Sequence, residues 1–306
     1  MILAVGSIVF AQEEQREPPR PAPPQLMRRM PAEGAVPPVL YIECERVQPG
    51  KLPEHTKAVK DVLRLCDREN WPLHVITLSG VTADEGEMTF LVAFDSFAGI
   101  DRLEGAIGSS PKSALDELER LESQESATHA AKHTLLAIYR PDLSYRPDVA
   151  AFGKATLVSS SQHVVRFGHQ AEYESDVHFL DESFAKANVD IHDFVYQVIS
   201  GAPHGTFIRL EPLRSFADWD AYGQQLQAVM QGLDDAGKQR LGNLFKDSVI
   251  QSAGDPATPL TRLWAIQPDQ SRVSDGFAAN NPAFWRPKPA PAAKPAAKPE
   301  GKPKQP

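Results

Sequence analysis

Cysteine is almost absent: two in 306 residues rule out a disulfide-built scaffold, and no Cys-x-x-Cys or Cys-x-x-Cys-His motif occurs, so zinc-cluster and covalent-haem readings fall away. No complete Gly-x-x-x-x-Gly-Lys-Ser/Thr loop and no Gly-x-Ser-x-Gly elbow is present, which removes P-loop nucleotide chemistry and the exposed serine nucleophile of α/β-hydrolases. No apolar run is long enough to cross a bilayer as a helix. Basic charge is also scarce in the body of the chain. The net charge is −8, and Arg286–Pro306 alone carries Arg286, Lys288, Lys294, Lys298, Lys302 and Lys304 against Glu300. An acidic body lacks the clustered Lys and Arg that neutralise phosphates, so nucleic acid is not an expected partner.

Proline, in contrast, is abundant and uneven. Of 27, eight fall between Glu13 and Pro38 and seven after Arg286. Lacking an amide donor and fixing φ, proline in such density predicts extended, unpacked ends. Residues 13–38 therefore read as a linker and 273–306 as a disordered tail. Met1–Ala11 is apolar and closes on Val9-Phe10-Ala11 before Gln12, the pattern of a secretory h-region and cleavage site. The missing basic n-region makes 1–12 read as a truncated signal, and the expected location is secreted or periplasmic.

What remains is duplicated. Ser96-Phe97-Ala98 with Asp101 recurs as Ser215-Phe216-Ala217 with Asp220, Gly50 and Glu54 recur as Gly168 and Glu172, and Pro141-Asp142-x-Ser144 recurs as Pro268-Asp269-x-Ser271. Matches in one order at nearly one offset indicate two copies of a single unit, 39–147 and 156–272. In the first copy Val39–Val47 reads as a strand and Pro53–Glu69 as a helix with Val59, Leu63 and Cys66 inward. Leu73–Ser79 and Met88–Phe94 form a hairpin, helices start near Ser96 and after the cap Ser110, and Thr134–Tyr139 is the last strand. The second copy repeats the order with strands Gln162–Phe167, Phe194–Ser200, Thr206–Leu210 and Thr261–Ile266. Its helices are Ala171–Ala187, Phe216–Met230 and Leu233–Ile250. Each unit is a β-α-β-β-α-β, ferredoxin-like pattern, and the fold class is α+β.

This order, and above all the stretch Val164-Val165-Arg166-Phe167-Gly168-His169-Gln170-Ala171-Glu172-Tyr173, resembles the dimeric α/β-barrel superfamily, in particular its antibiotic-biosynthesis-monooxygenase-like and NIPSNAP-like groups. The resemblance implies that two fused units close one barrel within a single chain, a pseudo-dimer expected to be a monomer. It also implies a choice of activities: cofactor-independent oxygenation of a small apolar or aromatic ligand, a non-catalytic envelope module, or haem handling. No cofactor is expected on the first two readings, and haem only on the third.

Alternation along Val39–Val47 sets a phase with Leu40, Ile42 and Cys44 toward the helices and Tyr41, Glu43 and Glu45 toward the barrel interior. Across the repeat Glu43 meets Ser161 and Glu45 meets His163. Glu45, His163 and Glu43 are thus the candidate catalytic groups, since a carboxylate beside an imidazole moves protons near neutral pH. Tyr41, Ser161 and Tyr196 are the candidate ligand contacts. In the same phase Cys44 and Cys66 lie at similar height across one strand–helix interface, as a bridge or as two thiols. His129 and His133 are four apart, with Glu125 the nearest acid on a shared helical face, and without a further ligand they read as surface histidines; no metal site is expected.

Overall fold

The computed structural model describes residues 34–82, 85–250 and 260–287. Residues 1–12, where a truncated signal is expected, nearly all of the proline-rich linker and the lysine-rich tail from 288 onward lie outside them. The first unit runs β1 (Val39–Val47), α1 (Leu52–Arg68), β2 (Val75–Gly80), β3 (Glu87–Phe94), α2 (Phe97–Gly108), α3 (Lys112–Ser126) and β4 (His129–Tyr139). A short helix, α4 (Val149–Lys154), leads into β5 (Leu157–Val164), α5 (Gln170–Lys186), β6 (Phe194–Ser200), β7 (Thr206–Leu213), α6 (Phe216–Gly232), α7 (Asp235–Gly242) and β8 (Leu260–Ile266). Two small helices follow, α8 (Asp275–Ala278) and α9 (Pro282–Trp285). Among the described residues no helix is long and apolar enough to cross a membrane.

The eight strands close into one barrel in the order β1-β3-β2-β8-β5-β7-β6-β4. Each unit contributes four antiparallel strands, and the units meet at two seams. Leu78, Ser79 and Gly80 of β2 pair with Ile266, Ala265 and Trp264 of β8, and Ala137, Ile138 and Tyr139 of β4 pair with Val198, Gln197 and Tyr196 of β6. Closure satisfies the backbone groups that an open four-stranded sheet would leave bare along two edges.

Helices cover the outside. The stripe Val59, Val62, Leu63 and Cys66 of α1 is buried, as its spacing predicts, and it continues N-terminally to a buried His55. On α3 the buried stripe is Ala114, Leu118, Leu121 and Glu125, while Leu115 is only half-buried. Pro111, not Ser110, holds the N-cap position of α3, and the Ser110 hydroxyl instead accepts from the Trp71 indole N–H at 2.8 Å. The last helix of the second unit is shorter than its sequence pattern implies, ending at Gly242.

The phase of β1 is opposite to the one that alternation suggested. Leu40, Ile42 and Cys44 point into the barrel, with Leu91, Leu135, Val158, Ile208 and Trp264. Val39 and Val47, with Tyr41 packed against them, face the helices alongside Val59, Leu63 and Leu121. Both faces of this strand are covered, so a period of two marks the alternation without saying which face is which. The sulfur bridge fails for the same reason: Cys44 is turned into the barrel, Cys66 belongs to the helix layer, and both are free thiols.

The tail also begins later than its proline content suggested. Val273, Phe277, Ala278 and Trp285 are buried in the barrel's own core with Phe152 of α4 and Phe194 of β6. The Trp285 indole donates to the Gly153 carbonyl at 2.7 Å. Aromatic area of this size outweighs the ordering cost of a short segment, so residues 273–287 plug one end of the barrel.

Two outcomes follow. Residues 34–155 produced alone should self-associate or precipitate and should recover a one-to-one complex when co-expressed with 156–287, as read by sedimentation velocity; a stable soluble monomer of 34–155 contradicts the seam argument. At the β4–β6 seam Gly201 has φ +91°, and an added Cβ would come 2.0 Å from the Thr134 carbonyl oxygen, whereas Gly168 has φ +85° with open space around it. Gly201→Ala should cost about 2 kcal/mol or more in urea unfolding, and Gly168→Ala about 1 kcal/mol.

Candidate functional site

On the helix-facing side of β1 the carboxylates Glu43 and Glu45 are both buried beneath α1 and α3. Glu45 meets His55 of α1, Glu125 at the end of α3, and His129 at the start of β4. His55 Nε2 lies 2.8 Å from Glu45 Oε2 and 3.4 Å from Glu125 Oε1. His129 Nε2 lies 3.3 Å from Glu45 Oε2 and 3.2 Å from Glu125 Oε1. The side chains of His55, Glu45 and Glu125 are 0 % exposed and that of His129 is 8 % exposed. Lys132 flanks the group, 2.5 Å from Glu43 Oε1 and 3.5 Å from Glu45 Oε1.

A β-bulge brings His129 into this group. Residues 129–133 are strand, not helix, and the β1–β4 register slips between Arg46 and Val47, so that Val47 faces His129 while Arg46 faces Ala131. The extra residue turns His129 toward the helices beside Glu45 and leaves His133, opposite Cys44, at the barrel mouth. A bulge re-aims a side chain in this way without interrupting the sheet. The expectation of two surface histidines on one helical face is therefore corrected: His133 is exposed, and His129 is not.

Charge is held tightly here. Burial by itself would raise Glu45, yet the imidazoles of His129 and His55 outweigh it and hold the carboxylate far below its ordinary range. Glu125 is likewise lowered to about 2 against its burial, through His129 and His55. Burial would lower the two histidines, but the carboxylates win: His129 is pushed up to about 9, and His55 is raised as well. Glu43, buried and next to Glu45, rises to about 7. Paired charge is the condition under which such groups are tolerated inside a protein.

The same place in the second unit is chemically different. Val47 N–H donates to the Gly86 carbonyl at 2.9 Å and Val165 N–H to Gly205 at 2.9 Å; Gln48 N–H donates to Thr128 at 2.8 Å and Arg166 N–H to Ser248 at 2.7 Å. Val47 pairs with His129 as Val165 pairs with Val249. Glu45, His55, Glu125 and His129 accordingly correspond to His163, Tyr173, Phe245 and Val249. There the His163 ring packs 4.9 Å from Phe245 and 5.7 Å from Tyr173, and Tyr173 stacks on Phe207 at 4.8 Å.

Beside that aromatic cluster a cavity of about 410 Å³ opens between the second unit's sheet and its helices, lined by Ser161, His163, Arg209, Glu211, Tyr222 and Phe245 among others. Its polar groups come from facing positions of β5 and β7: Ser159 opposite Glu211, Ser161 opposite Arg209, His163 opposite Phe207. Buried Arg209 is ion-paired with fully buried Asp193; burial would discharge the guanidinium, and the Asp193 charge keeps it protonated. Burial, then the charge of Arg209, lowers His163 to about 3, and burial raises Glu211 to about 7. Near pH 7 the cavity therefore offers a neutral imidazole and a carboxyl close to half-ionised.

The sequence-derived candidates are thus redistributed. Glu43, Glu45 and Tyr41 lie in the first unit's helix layer, and His163 and Ser161 in the second's. Both groups face outward from the barrel, so Glu45 and His163 share no interior cavity, because the phase of both first strands is reversed. Tyr196 does point inward, where its hydroxyl donates to the Pro37 carbonyl at 3.0 Å in the filled end of the barrel. The open end holds a cavity of about 290 Å³ with Cys44, Glu87, His133, Gln162 and Arg262 in its wall. His55, Arg209 and Glu211 went unrecognised, and Glu125 was noted only as the acid nearest His129 and His133 on one helical face. His55 and Glu125 had a signal, each continuing an apolar helical stripe with a titratable residue. The spacing Gly232-x-x-x-x-Gly237-Lys238 is not a phosphate cradle: Asp234 accepts from the Gly237 N–H at 2.7 Å, and Gln239 stands where a hydroxyl residue is needed.

The lowered histidines set a pH dependence. His163 and His74, the latter lowered to about 4 by burial, stay neutral in the folded protein while the unfolded chain takes up protons below about pH 6.5. Stability should be insensitive to these two above pH 6.5 and should fall below it, by up to about 1.4 kcal/mol per pH unit for each histidine, until each folded pKa is reached. Histidine NMR at pH 5 should show both rings neutral, and protonated rings there contradict the burial argument.

No family model matches the chain, and no curated protein does. Among solved structures, an anthrone oxidase-like protein matches at TM-score 0.47 and 12% identity, covering 78% of this chain and 92% of its own. A Lactobacillus acidophilus protein provisionally named a monooxygenase matches at 0.46 and 8%, covering 76% and 94%. A variant chlorite dismutase from Candidatus Nitrospira defluvii matches at 0.46 and 10%, covering 80% and 97%. Likenesses this distant carry no argument about chemistry. The chain's own topology, two β-α-β-β-α-β units whose strands close one eight-stranded barrel within a single polypeptide, is the fold that the sequence resemblance led one to expect.

Proposed function

We propose that this is an exported small-molecule-binding barrel protein whose second unit takes an electron-rich aromatic ligand, and that it acts on that ligand as a cofactor-independent oxygenase. The observation that carries this reading is the cavity of about 410 Å³ between sheet and helices, where aromatic walls, Tyr222 and Phe245 among them, meet Glu211 and His163. Aromatic side chains supply area for a flat ligand. A carboxylate titrating near pH 7 has the strength of a working general base. His163, neutral and with Nδ1 lacking a hydrogen-bond partner, is placed to accept a hydrogen bond from a phenolic hydroxyl, with the Ser161 hydroxyl beside it.

In this reading Glu211 takes a proton from a phenol or an activated ring CH₂, and the resulting anion gives electrons directly to dioxygen. For a CH₂ group the balance is one O₂ consumed, one oxygen retained as the carbonyl and the other released as water, all electrons coming from the substrate. Export to the cell envelope belongs to the same proposal and rests on the residues at the N-terminus.

The test is oxygen uptake by the purified full chain with anthrone- and quinol-type probes, together with saturable quenching of tryptophan fluorescence. Glu211→Gln should reduce kcat/KM at least about 100-fold while leaving the melting temperature nearly unchanged. Absence of both uptake and saturable binding refutes the reading, and a Soret band in the protein as isolated replaces it with haem handling.

A further inference from the structure

The first unit's buried group has no part in the ligand cavity, and its geometry points elsewhere. We propose that Glu45, His55, Glu125 and His129 form a closed, four-ligand site for a first-row divalent cation of the zinc type. One donor atom from each residue lies within 4.8 Å of all the others. Four ligands at about 2.0–2.1 Å from a tetrahedral centre sit about 3.3–3.4 Å from one another. The imidazole-to-carboxylate separations are 3.4, 3.3, 3.2 and 2.8 Å, so three of these four, among the tetrahedron's six edges, already have tetrahedral length; the fourth needs to open by about half an ångström, and the other two edges lie within 4.8 Å.

Three further features favour a cation over a purely hydrogen-bonded knot. First, His129 Nε2 is buried nearly equidistant from the two carboxylates, 3.3 Å from Glu45 Oε2 and 3.2 Å from Glu125 Oε1, without the alignment of a hydrogen bond to either, so that its lone pair would meet a shared centre once a cation displaces the proton held there. Second, two carboxylates, two neutral imidazoles and one divalent cation sum to zero charge, so an ion would replace the two imidazolium protons without unbalancing the buried site. Third, the duplication supplies a control within the same molecule. The equivalent positions hold His163, Tyr173, Phe245 and Val249, of which the first three pack as rings. At these positions the second unit packs three rings and an aliphatic side chain, so the shared architecture does not itself call for two carboxylates and two imidazoles here.

The donor set selects the metal class. Two imidazoles disfavour magnesium and calcium, which prefer oxygen alone, and the absence of thiolate disfavours copper(I). All four positions come from protein and the site is sealed, the signature of a structural centre and not of one that activates water. Its ligands come from β1, α1, α3 and β4, so an ion there would tie two of the first unit's helices to two neighbouring strands, one of them the seam strand β4. Lys132, 3.5 Å from Glu45 Oε1, would orient that ligand from outside.

The experiment uses the full chain, unfolded in urea with chelator and refolded with Zn²⁺, Mn²⁺ or Co²⁺ in turn, because the closed site admits an ion during folding. Elemental analysis should find one zinc per chain after desalting. The cobalt form should show the intense visible bands of four-coordinate Co²⁺, and zinc should raise the melting temperature by several degrees, with manganese raising it less. His129→Gln and Glu125→Gln should each weaken zinc binding at least about 100-fold, while His133→Gln, on the other face of β4, should keep full stoichiometry. If one ligand variant fails to fold, the wild-type cobalt spectrum still decides. Wild-type protein that refolds with no retained zinc and only six-coordinate, water-like cobalt bands overturns the proposal. Because Glu211 and the second cavity take no part, loss of oxygen uptake and loss of metal are separable outcomes.

Discussion

Everything in this molecule depends on the two antiparallel seams, β2 with β8 and β4 with β6. A four-stranded sheet with helices on one face has a second apolar face and two open edges. Pairing both edges with a second such sheet removes the edges and turns both inner faces into one core. Covalent fusion makes that pairing intramolecular, so closure no longer depends on protein concentration. Ion pairs reinforce the joint from outside: Arg272, just after β8, holds Asp67 of α1 at 2.7 Å and donates to the Trp71 carbonyl at 2.8 Å.

Fusion also releases the two units from having to be identical. In a dimer of one chain any residue placed under the helices appears twice. Here the first unit places Glu45, His55, Glu125 and His129 where the second places His163, Tyr173, Phe245 and Val249. The second unit in turn buries Arg209 with Asp193 beside a cavity, at positions that correspond to Phe90 and His74 of the first. Each unit keeps one polar centre in its helix layer, at different depths and with different chemistry. Within the barrel, Phe152, Phe277 and Trp285 fill one end and a cavity of about 290 Å³ remains at the other.

Much of the fold was legible because its signals are local. The repeated Ser-Phe-Ala-x-x-Asp, the glycines at Gly50 and Gly168, and the α1 stripe Val59–Val62–Cys66 depend on spacing along a few turns, and the structure reproduces them. The site was legible only in its ingredients. Glu45 and His163 were rightly singled out as an asymmetry of the duplication, but were assigned to the wrong side of their strands. The two faces of β1 are both buried, one by the barrel and one by α1 and α3, so alternation alone marks two faces without saying which meets the helices. His129 was misread because a single bulge residue reverses its direction, and a bulge has no composition of its own.

By itself, then, the sequence determined the duplication, the order of strands and helices in each unit, and the chemical inequality of the two copies, since these follow from residue types at short, fixed spacings. Only the tertiary structure decided which face of each strand meets the helices, that Glu125 and His55 complete a buried group with Glu45 and His129, and that residues 273–287 close the barrel's end. Those outcomes depend on contacts between segments dozens of residues apart, where the lowest free energy is set by what the other element offers and not by the local pattern.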